Sequence, residues 1–272
     1  MEFFMRIHNI TASNVTEASF LLLSEIMLHG EFRNGEQAGG VEVFKAIAAS
    51  VTIENPLSDG LYPAIPAIIP CSYEELANYI VDVVEDARGF EVNYDKWAYT
   101  YGAAIVKQRP FVIKELKRCE YTRRAVMVIS AGINELEDPP CLQELMFEIR
   151  EDKLNMSVIF RSNDCCKAFP ENLTALAYLQ KSIAEELGIN AGGIYYFCPN
   201  VHVYQNDWKG ENGEVSRAMG YLYRFSQAST QSDRDALGMS FEDFNEIYEE
   251  EYPKYKQWCE MRHKELIEKY GK

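Results

Sequence analysis

The sequence contains no long apolar run and no recognisable export signal. None of its apolar stretches approaches the ~18 residues that cross a bilayer, so we expect neither a membrane span nor a membrane partner. The stretch Met1 to Arg6 is too short and too mixed in character for a secretory signal. These features together predict a cytoplasmic protein.

Regular cysteine spacing and surplus positive charge are also missing. Seven cysteines without a repeating interval do not predict a disulfide framework. Cys165 and Cys166 are adjacent, but no second pair follows at zinc-site spacing, so no metal is predicted. The formal net charge of −15 argues against nucleic-acid binding, which needs a basic surface. A local group of arginines can still bind a small anion.

The composition is that of a folded globular protein. The chain has 272 residues, 47% of them hydrophobic, with 17 Tyr and 14 Phe, enough to bury a large core. Apolar periodicity predicts helices over 15–29 and 172–187, and strands over 125–129 and 193–205. We therefore predict one α+β domain over 1–272, in which 210–272 is a divergent, mostly helical and acidic C-terminal segment.

A predicted hairpin organises the central part of the chain. Apolar residues alternate with polar ones in two runs: Leu145, Phe147 and Ile149, then Leu154, Met156, Val158 and Phe160. Residues 151–153 provide the reversal. The hairpin would bring Cys141, which follows two prolines, close to Arg161. Because a fixed positive charge lowers the pKa of a thiol, Cys141 is the candidate nucleophile.

Three further arginines could bind a phosphate. Arg123 and Arg124 precede the predicted strand over 125–129, and Arg33 lies in a predicted turn beside Gly35. Each guanidinium offers a planar fork of donors that matches a phosphate. For Arg33 taken alone, a solvated arginine is the simpler interpretation.

Several candidates also have ordinary structural interpretations. Cys141 could be a small buried hydrophobe, and Asn172 could be a helix N-cap. A hydrolase built from Cys141 and His202 would lack a marked third group to orient the histidine. The aromatic cluster over 94–101 could line a ring-binding pocket or pack in the core.

The order and spacing of four motifs resemble the thymidylate synthase and pyrimidine-nucleotide hydroxymethylase superfamily. These motifs are Asp138-Pro139-Pro140-Cys141-Leu142-Gln143, Phe160-Arg161-Ser162-Asn163-Asp164, Asn172, and His202-Val203-Tyr204. The segment Tyr99-Thr100-Tyr101-Gly102 looks like the archaeal-type branch. The resemblance covers about 94 to 206 and implies a mixed β-sheet packed by helices, with a homodimer formed through the sheet.

The resemblance also implies catalytic roles. The Cys141 thiolate would add to C6 of a pyrimidine nucleoside monophosphate and make C5 nucleophilic. Asn172 would bond the O4/N3 edge, which suits the uracil of dUMP. Glu75, or alternatively Glu74, is the match for a glutamate that relays a proton to O4 through water.

Substrate contacts follow from the same resemblance. The 5′-phosphate would be held by Arg161 and Ser162, by Arg123 and Arg124 of the neighbouring subunit, and by Arg33. His202 and Tyr204 would hold the sugar 3′-hydroxyl.

The implied one-carbon donor is methylene-tetrahydrofolate or a related pterin such as methylene-tetrahydromethanopterin. Asp164 would contact the pterin. Tyr94 stands where many members have a tryptophan beside the folate, and Leu142 replaces a histidine that commonly follows the cysteine.

The C-terminus departs from the family pattern, because it lacks the closing apolar tail that shields the transferred carbon from water. A dUMP, dCMP or CMP 5-hydroxymethylase is therefore the alternative enzyme. An inactive nucleotide-binding relative is the further alternative.

Overall fold

A computed structural model describes residues 6–37, 40–94, 96–130, 139–209 and 213–271. Asp138, the first residue of the cysteine motif, lies outside these residues. The chain divides into two units. Unit 1 takes Met1–Pro70, Ser157–Thr174 and Gly192–Phe241, and unit 2 takes Cys71–Met156, Ala175–Ala191 and Glu242–Lys272.

Runs of strands and runs of helices are interspersed along the chain. In chain order they are β1 (Ile7–Ala12), α1 (Val15–His29), β2 (Glu31–Gln37), β3 (Gly40–Ile53), β4 (Ile65–Pro66), α2 (Tyr73–Glu85), a 3-10 helix (Gly89–Tyr94), α3 (Tyr101–Arg118), β5 (Val126–Val128), β6 (Leu142–Arg150), β7 (Lys153–Phe160), β8 (Asn163–Asp164), α4 (Phe169–Leu187), β9 (Asn190–Tyr204), α5 (Gln205–Lys209), α6 (Glu214–Gln227), α7 (Gln231–Asp235), β10 (Gly238–Met239) and α8 (Phe241–Tyr270).

The strands of unit 1 are organised around β3. β1 pairs with β3 in parallel, whereas β2 and β9 pair with it antiparallel. β8 lies parallel to β9, and β7 is the next strand beyond β9. Helix α1 packs on β1 and β3, with Leu22 and Ile26 fully buried. This mixed sheet packed by a helix agrees with the predicted α+β class.

Unit 2 combines helices with strands β5 and β6 and the beginning of β7. β5 pairs antiparallel with β6, and β7 is the neighbour of β6 on its other side. α2 and α3 pack on each other, and α3 also contacts β5 and β6. No helix among the residues that the structure describes is long and apolar enough to cross a membrane.

The predicted hairpin is confirmed as β6 and β7. Leu145 and Phe147 of β6, and Leu154, Met156, Val158 and Phe160 of β7, are all buried. Glu151 and Asp152 form the reversal with φ of 51° and 56°. Positive φ at both central residues is the geometry of a type I′ turn, whose twist matches that of the flanking strands.

Helix boundaries follow their capping residues. The Asn14 side chain accepts from the backbone N–H of Glu17 at 2.9 Å and begins α1, as the apolar stripe predicted. α8 confirms the predicted C-terminal helix, since it runs from Phe241 to Tyr270.

Two local predictions were wrong. The segment around Arg33 was predicted as a turn but is strand β2, because pairing with β3 from Glu31↔Ala46 to Gln37↔Gly40 outweighs the local turn signals. Asn172 does not cap a helix. α4 already begins at Phe169, and the Asn172 N–H donates to the Ala168 carbonyl at 2.9 Å within the first turn.

The turn geometry predicts a stabilising double substitution. Glu151→Asn together with Asp152→Gly should raise the free energy of unfolding by about 1 kcal/mol, because Asn and Gly adopt positive φ more readily. The urea midpoint measures the gain. Lys153→Gly, one residue into β7, is the control and should lower stability. An unchanged or lower midpoint for the double variant would contradict the turn assignment.

Candidate functional site

Four of the predicted site residues of unit 1 lie where β7, β8 and β9 end. The Ser162 hydroxyl oxygen lies 3.4 Å from Nδ1 of His202. The His202 ring is buried and meets the Tyr204 ring edge-on at 4.8 Å. Asp164 of β8 is the register partner of His202 of β9. The short strand β8 therefore brings Ser162 and Asp164 beside the His-x-Tyr motif.

Asp164 is held in place by backbone donors. The N–H groups of Cys166 and Lys167 donate to its Oδ1 at 2.8 and 3.1 Å. Burial raises the pKa of Asp164 above its ordinary value, while the two N–H groups and His202 act in the opposite direction. The carboxyl group is thus fixed in orientation and retains acceptor capacity at its second oxygen.

Arg33 lies on the same strand ladder as the His-x-Tyr motif. It is the register partner of Phe44 on β3, and Phe44 is the partner of Tyr204 on β9. Its guanidinium is half-exposed and lies 3.2 Å from the Glu31 carboxylate. Arg33 is therefore an ordered strand residue with a carboxylate neighbour.

The remaining unit 1 candidates are placed by the elements beside them. Arg161 directly follows β7 and is partly buried. Asn172 is buried in the first turn of α4.

In unit 2, Cys141 stands immediately before β6 and is partly buried. Its neighbour is the phenol of Tyr101, whose oxygen accepts a hydrogen bond from the backbone N–H of Leu142. Burial raises the pKa of Tyr101, and Tyr79 and Cys141 add to the rise, so the phenol is neutral at physiological pH. A thiol beside a neutral hydroxyl is an arrangement that can attack an electrophile and move a proton.

The roles predicted from the sequence did not include Tyr101. The feature of the sequence that could have drawn attention to Tyr101 is the glycine that follows it, Gly102. A Cβ atom at Gly102 would lie 2.2 Å from the Asp82 carbonyl oxygen, so only glycine lets the start of α3 approach α2 this closely. That approach places Tyr101 against the cysteine motif.

An aromatic cleft of about 220 Å³ opens beside Tyr101. Tyr79, Trp97, Tyr99 and Tyr101 supply its rings, and Asp82 and Arg88 supply its charges. Clefts that are apolar with a few convergent polar groups are typical of small-molecule sites. We call this feature the aromatic cleft.

Asp82 has the most unusual electrostatic environment in the cleft wall. Burial raises its pKa to about 6, although a hydrogen bond from Tyr255 and the charge of Arg88 oppose the rise. The Tyr255 hydroxyl lies 3.0 and 2.9 Å from the two carboxylate oxygens. A carboxylate kept in a desolvated position at a cost to folding is typical of a functional site.

Arg88 is fixed by both charge and stacking. Its Nε and Nη2 donate to the buried carboxylate of Glu91, and its guanidinium lies 5.4 Å from the Trp97 ring. Trp97 also donates its indole N–H to Glu91 at 2.9 Å. Glu91 therefore holds both the cation and one ring of the cleft.

The other predicted residues of unit 2 have varied environments. Glu75 is exposed and forms a capping box with Ser72, accepting from the Ser72 N–H at 2.9 Å. Its proton-relay role stays a prediction. Leu142 is fully buried, and the Tyr94 ring lies 5.8 Å from that of Tyr270. Arg123 and Arg124 are exposed just before β5.

Comparison with known proteins identifies the class of enzyme. The thymidylate synthase family profile matches residues 85–258, which include the aromatic cleft from Arg88 onward and all four motifs. Such proteins are one-carbon transferases. The chain belongs to the thymidylate synthase family.

Archaeal relatives support the same assignment. A protein of Methanosarcina mazei is 31% identical over 210 residues, covering 73% of this chain and 90% of the relative. One from Methanothermobacter marburgensis is 31% identical over 222 residues, covering 74% and 95%. One from Methanococcoides burtonii is 29% identical over 209 residues, covering 73% and 90%. All three carry the name "Putative thymidylate synthase". These matches confirm the predicted family and its archaeal-type branch.

The environment of Asp82 predicts a pH-dependent gain in stability for Asp82→Asn. The folded-state pKa of about 6 exceeds the ordinary value of 3.8, so the native protein binds the proton more tightly than the unfolded chain. The cost of the buried charge is therefore absent below about pH 4 and complete above about pH 6. We expect Asp82→Asn to be about 1 kcal/mol more stable than the wild type at pH 8.

Urea midpoints at pH 8 and pH 4.5 measure this difference, which should shrink at the lower pH. Asp235→Asn, a change at an exposed carboxylate on α7, serves as the control. Equal destabilisation by Asp82→Asn at both pH values would contradict the interpretation.

Proposed function

We propose that this protein transfers a one-carbon unit to C5 of dUMP, using Cys141 as the nucleophile and a methylene-tetrahydrofolate-type donor. The observation that carries the proposal is the position of Cys141 immediately before β6, next to Leu142, whose backbone N–H donates to the neutral phenol of Tyr101. Membership of the thymidylate synthase family supports it.

In the proposed reaction the Cys141 thiolate adds to C6 of the pyrimidine, and the electron pair of the C5–C6 bond moves toward O4. C5 then becomes the nucleophile that accepts the one-carbon unit. As the C5 proton is lost, the carrier would leave as its amine. A hydride from the carrier, which is oxidised to its dihydro form, would give a methyl group, whereas addition of water would give a hydroxymethyl group. Expulsion of the thiolate from C6 restores the ring. Tyr101 is placed to hold or move a proton beside Cys141, and Asn172 and Glu75 are assigned to the O4/N3 edge and to O4.

The polar residues of unit 1 are assigned to the nucleotide. Arg161, Ser162 and Arg33 would bind the phosphate, with Arg123 and Arg124 supplied by a second subunit of a homodimer. His202 and Tyr204 would bind the sugar. The buried ring of His202, packed edge-on against the ring of Tyr204, supports this assignment, because a fixed imidazole is a better hydrogen-bonding partner than a mobile one.

The rings of the aromatic cleft suit a pterin-type donor, because aromatic faces stack on planar heterocycles. Asp164, Tyr94 and Leu142 are the residues assigned to hold it. The donor supplies the methylene group, and tetrahydrofolate and tetrahydromethanopterin carriers both meet this requirement.

A hydroxymethylase is the second candidate, and the character of residues 241–270 favours it. They form α8, a charged helix, rather than an apolar segment that could cover the transferred carbon. If water reaches the transferred carbon, the product is a 5-hydroxymethyl nucleotide of dUMP, dCMP or CMP.

The shared first step gives a direct test. The wild type should release tritium from [5-³H]dUMP in the presence of methylene-tetrahydrofolate, and Cys141→Ser should lower the rate at least about a thousandfold. Cys119→Ser, at the C-terminal end of α3, is the matched control and should retain activity. The mass of the product separates a methyl from a hydroxymethyl group.

The contrary outcome is equally clear. Nucleotide binding without tritium release, unaffected by Cys141→Ser, would overturn the enzyme proposal and favour an inactive nucleotide-binding relative.

A further inference from the structure

The C-terminal helix α8 extends past residue 258, where the family match ends. Two of its contacts within unit 2 reach residues of the aromatic cleft. Tyr255 bonds to Asp82, and Trp258 lies against Arg88. Other contacts lie outside the cleft wall, such as that of Tyr270 with Tyr94.

The Tyr255 contact controls the carboxylate that Asp82 contributes to the cleft wall. Its hydroxyl donates to Asp82 and leaves the acceptor capacity of that carboxylate only partly used. Four other groups face Asp82. They are Cys259 of α8, Asp86 just after α2, Arg88 just before the 3-10 helix, and Glu91 within that helix.

A second contact supports the aromatic wall. The Arg88 guanidinium lies between two indoles, 5.4 Å from the Trp97 ring and 5.8 Å from the Trp258 ring. Trp258 is in turn stacked on Tyr255, with ring centroids 5.7 Å apart and planes at 9°. A continuous stack therefore connects α8 with Trp97, which lines the cleft.

We propose that Tyr255 is a positioning residue for the donor-binding half of the site: it fixes the Asp82 carboxylate as the acceptor for a planar, N–H-bearing ring of the one-carbon donor. This inference rests on the proposed function for the identity of the ligand. Asp82 acts directly on the ligand, and Tyr255 acts through Asp82.

The chemistry of the cleft supports a ring with N–H groups. Aromatic faces stack on planar heterocycles, and a carboxylate accepts hydrogen bonds from them and repels anions. Asp86 and Glu91 add negative charge near Asp82, while Arg88 is already engaged by Glu91. Because the pKa of Asp82 is about 6, binding of the donor should weaken as the pH falls through that value.

Tyr255→Phe tests the proposal by removing one hydroxyl. We expect the KM for methylene-tetrahydrofolate to rise about tenfold, with kcat and the KM for dUMP changed less than twofold. Because the lost hydrogen bond lowers the pKa of Asp82, the acid limb of kcat/KM for the donor should move to higher pH. Asp82→Asn should weaken donor binding and remove that limb.

Tyr252→Phe is the matched control. Tyr252 also lies on α8, and its hydroxyl donates to Glu85 of α2 at 2.6 Å. Among the described residues, Glu85 is not part of the cleft wall; it faces α8, where Lys256 binds it at 2.8 Å. This variant should keep the wild-type donor KM and pH profile. Urea midpoints verify that the variants are folded.

A binding assay separates this inference from the proposed function. In a Trp208→Phe background, the remaining tryptophans, Trp97 and Trp258, both lie on Arg88 and report on the cleft. Tetrahydrofolate should quench the tryptophan fluorescence of both variants. Half-maximal quenching should need about tenfold more tetrahydrofolate in Tyr255→Phe than in Tyr252→Phe.

Absence of tritium release by the wild type would overturn the proposed function but leave this difference in quenching intact. Equal quenching curves for the two variants, or an absence of quenching in both and in the wild type, would overturn the inference. If Tyr255→Phe fails to fold, Asp82→Asn is tested instead. Wild-type affinity of Asp82→Asn for the donor, together with an unchanged pH profile, would overturn the inference.

Discussion

The pairing of β3 with β9 determines where the polar groups of unit 1 lie. β3 is 14 residues long and β9 is 15, and they share an antiparallel register from Phe44↔Tyr204 to Ile53↔Ile194, with one irregularity between Ile47 and Ala49. A one-residue slip would turn His202 and Tyr204 to the opposite face of the sheet. The buried apolar residues of both strands make such a slip costly. The geometry of the His-x-Tyr motif is therefore a consequence of core packing.

The cleft of unit 2 depends on a different constraint, the solvation of charge. Glu91 is 3% exposed, and its burial is compensated by Arg88 and by the Trp97 indole N–H. Asp82 is only partly compensated, by a tyrosine hydroxyl and a shared arginine, and its raised pKa is the result. Glu91 is thus a fully paired charge that orders the rings of the cleft. Asp82 is only partly paired and can still accept a hydrogen bond from a ligand.

The family assignment and the structure explain different parts of the chain. The profile match accounts for the one-carbon chemistry and for the motif order. Helix α8 extends beyond that match, although Tyr255 and Trp258 lie within it. A charged helix in this position can be tolerated because its tyrosines and tryptophan make the contacts while its acidic residues remain solvated.

Local patterns in the sequence were sufficient for the hairpin, for helices α1 and α8, and for the order of the motifs that identify the family. In each case the signal is local. It is the alternation of apolar and polar residues in the hairpin, the apolar stripe or capping residue in the helices, and the fixed spacing of residues in the motifs. Strand β2, the position of Asn172 within α4, and the importance of Tyr101 were decided by tertiary structure. The pairing of Asp82 with Tyr255 joins residues 173 positions apart. Such contacts depend on which surfaces the packed core brings together, and no local pattern of residues encodes that.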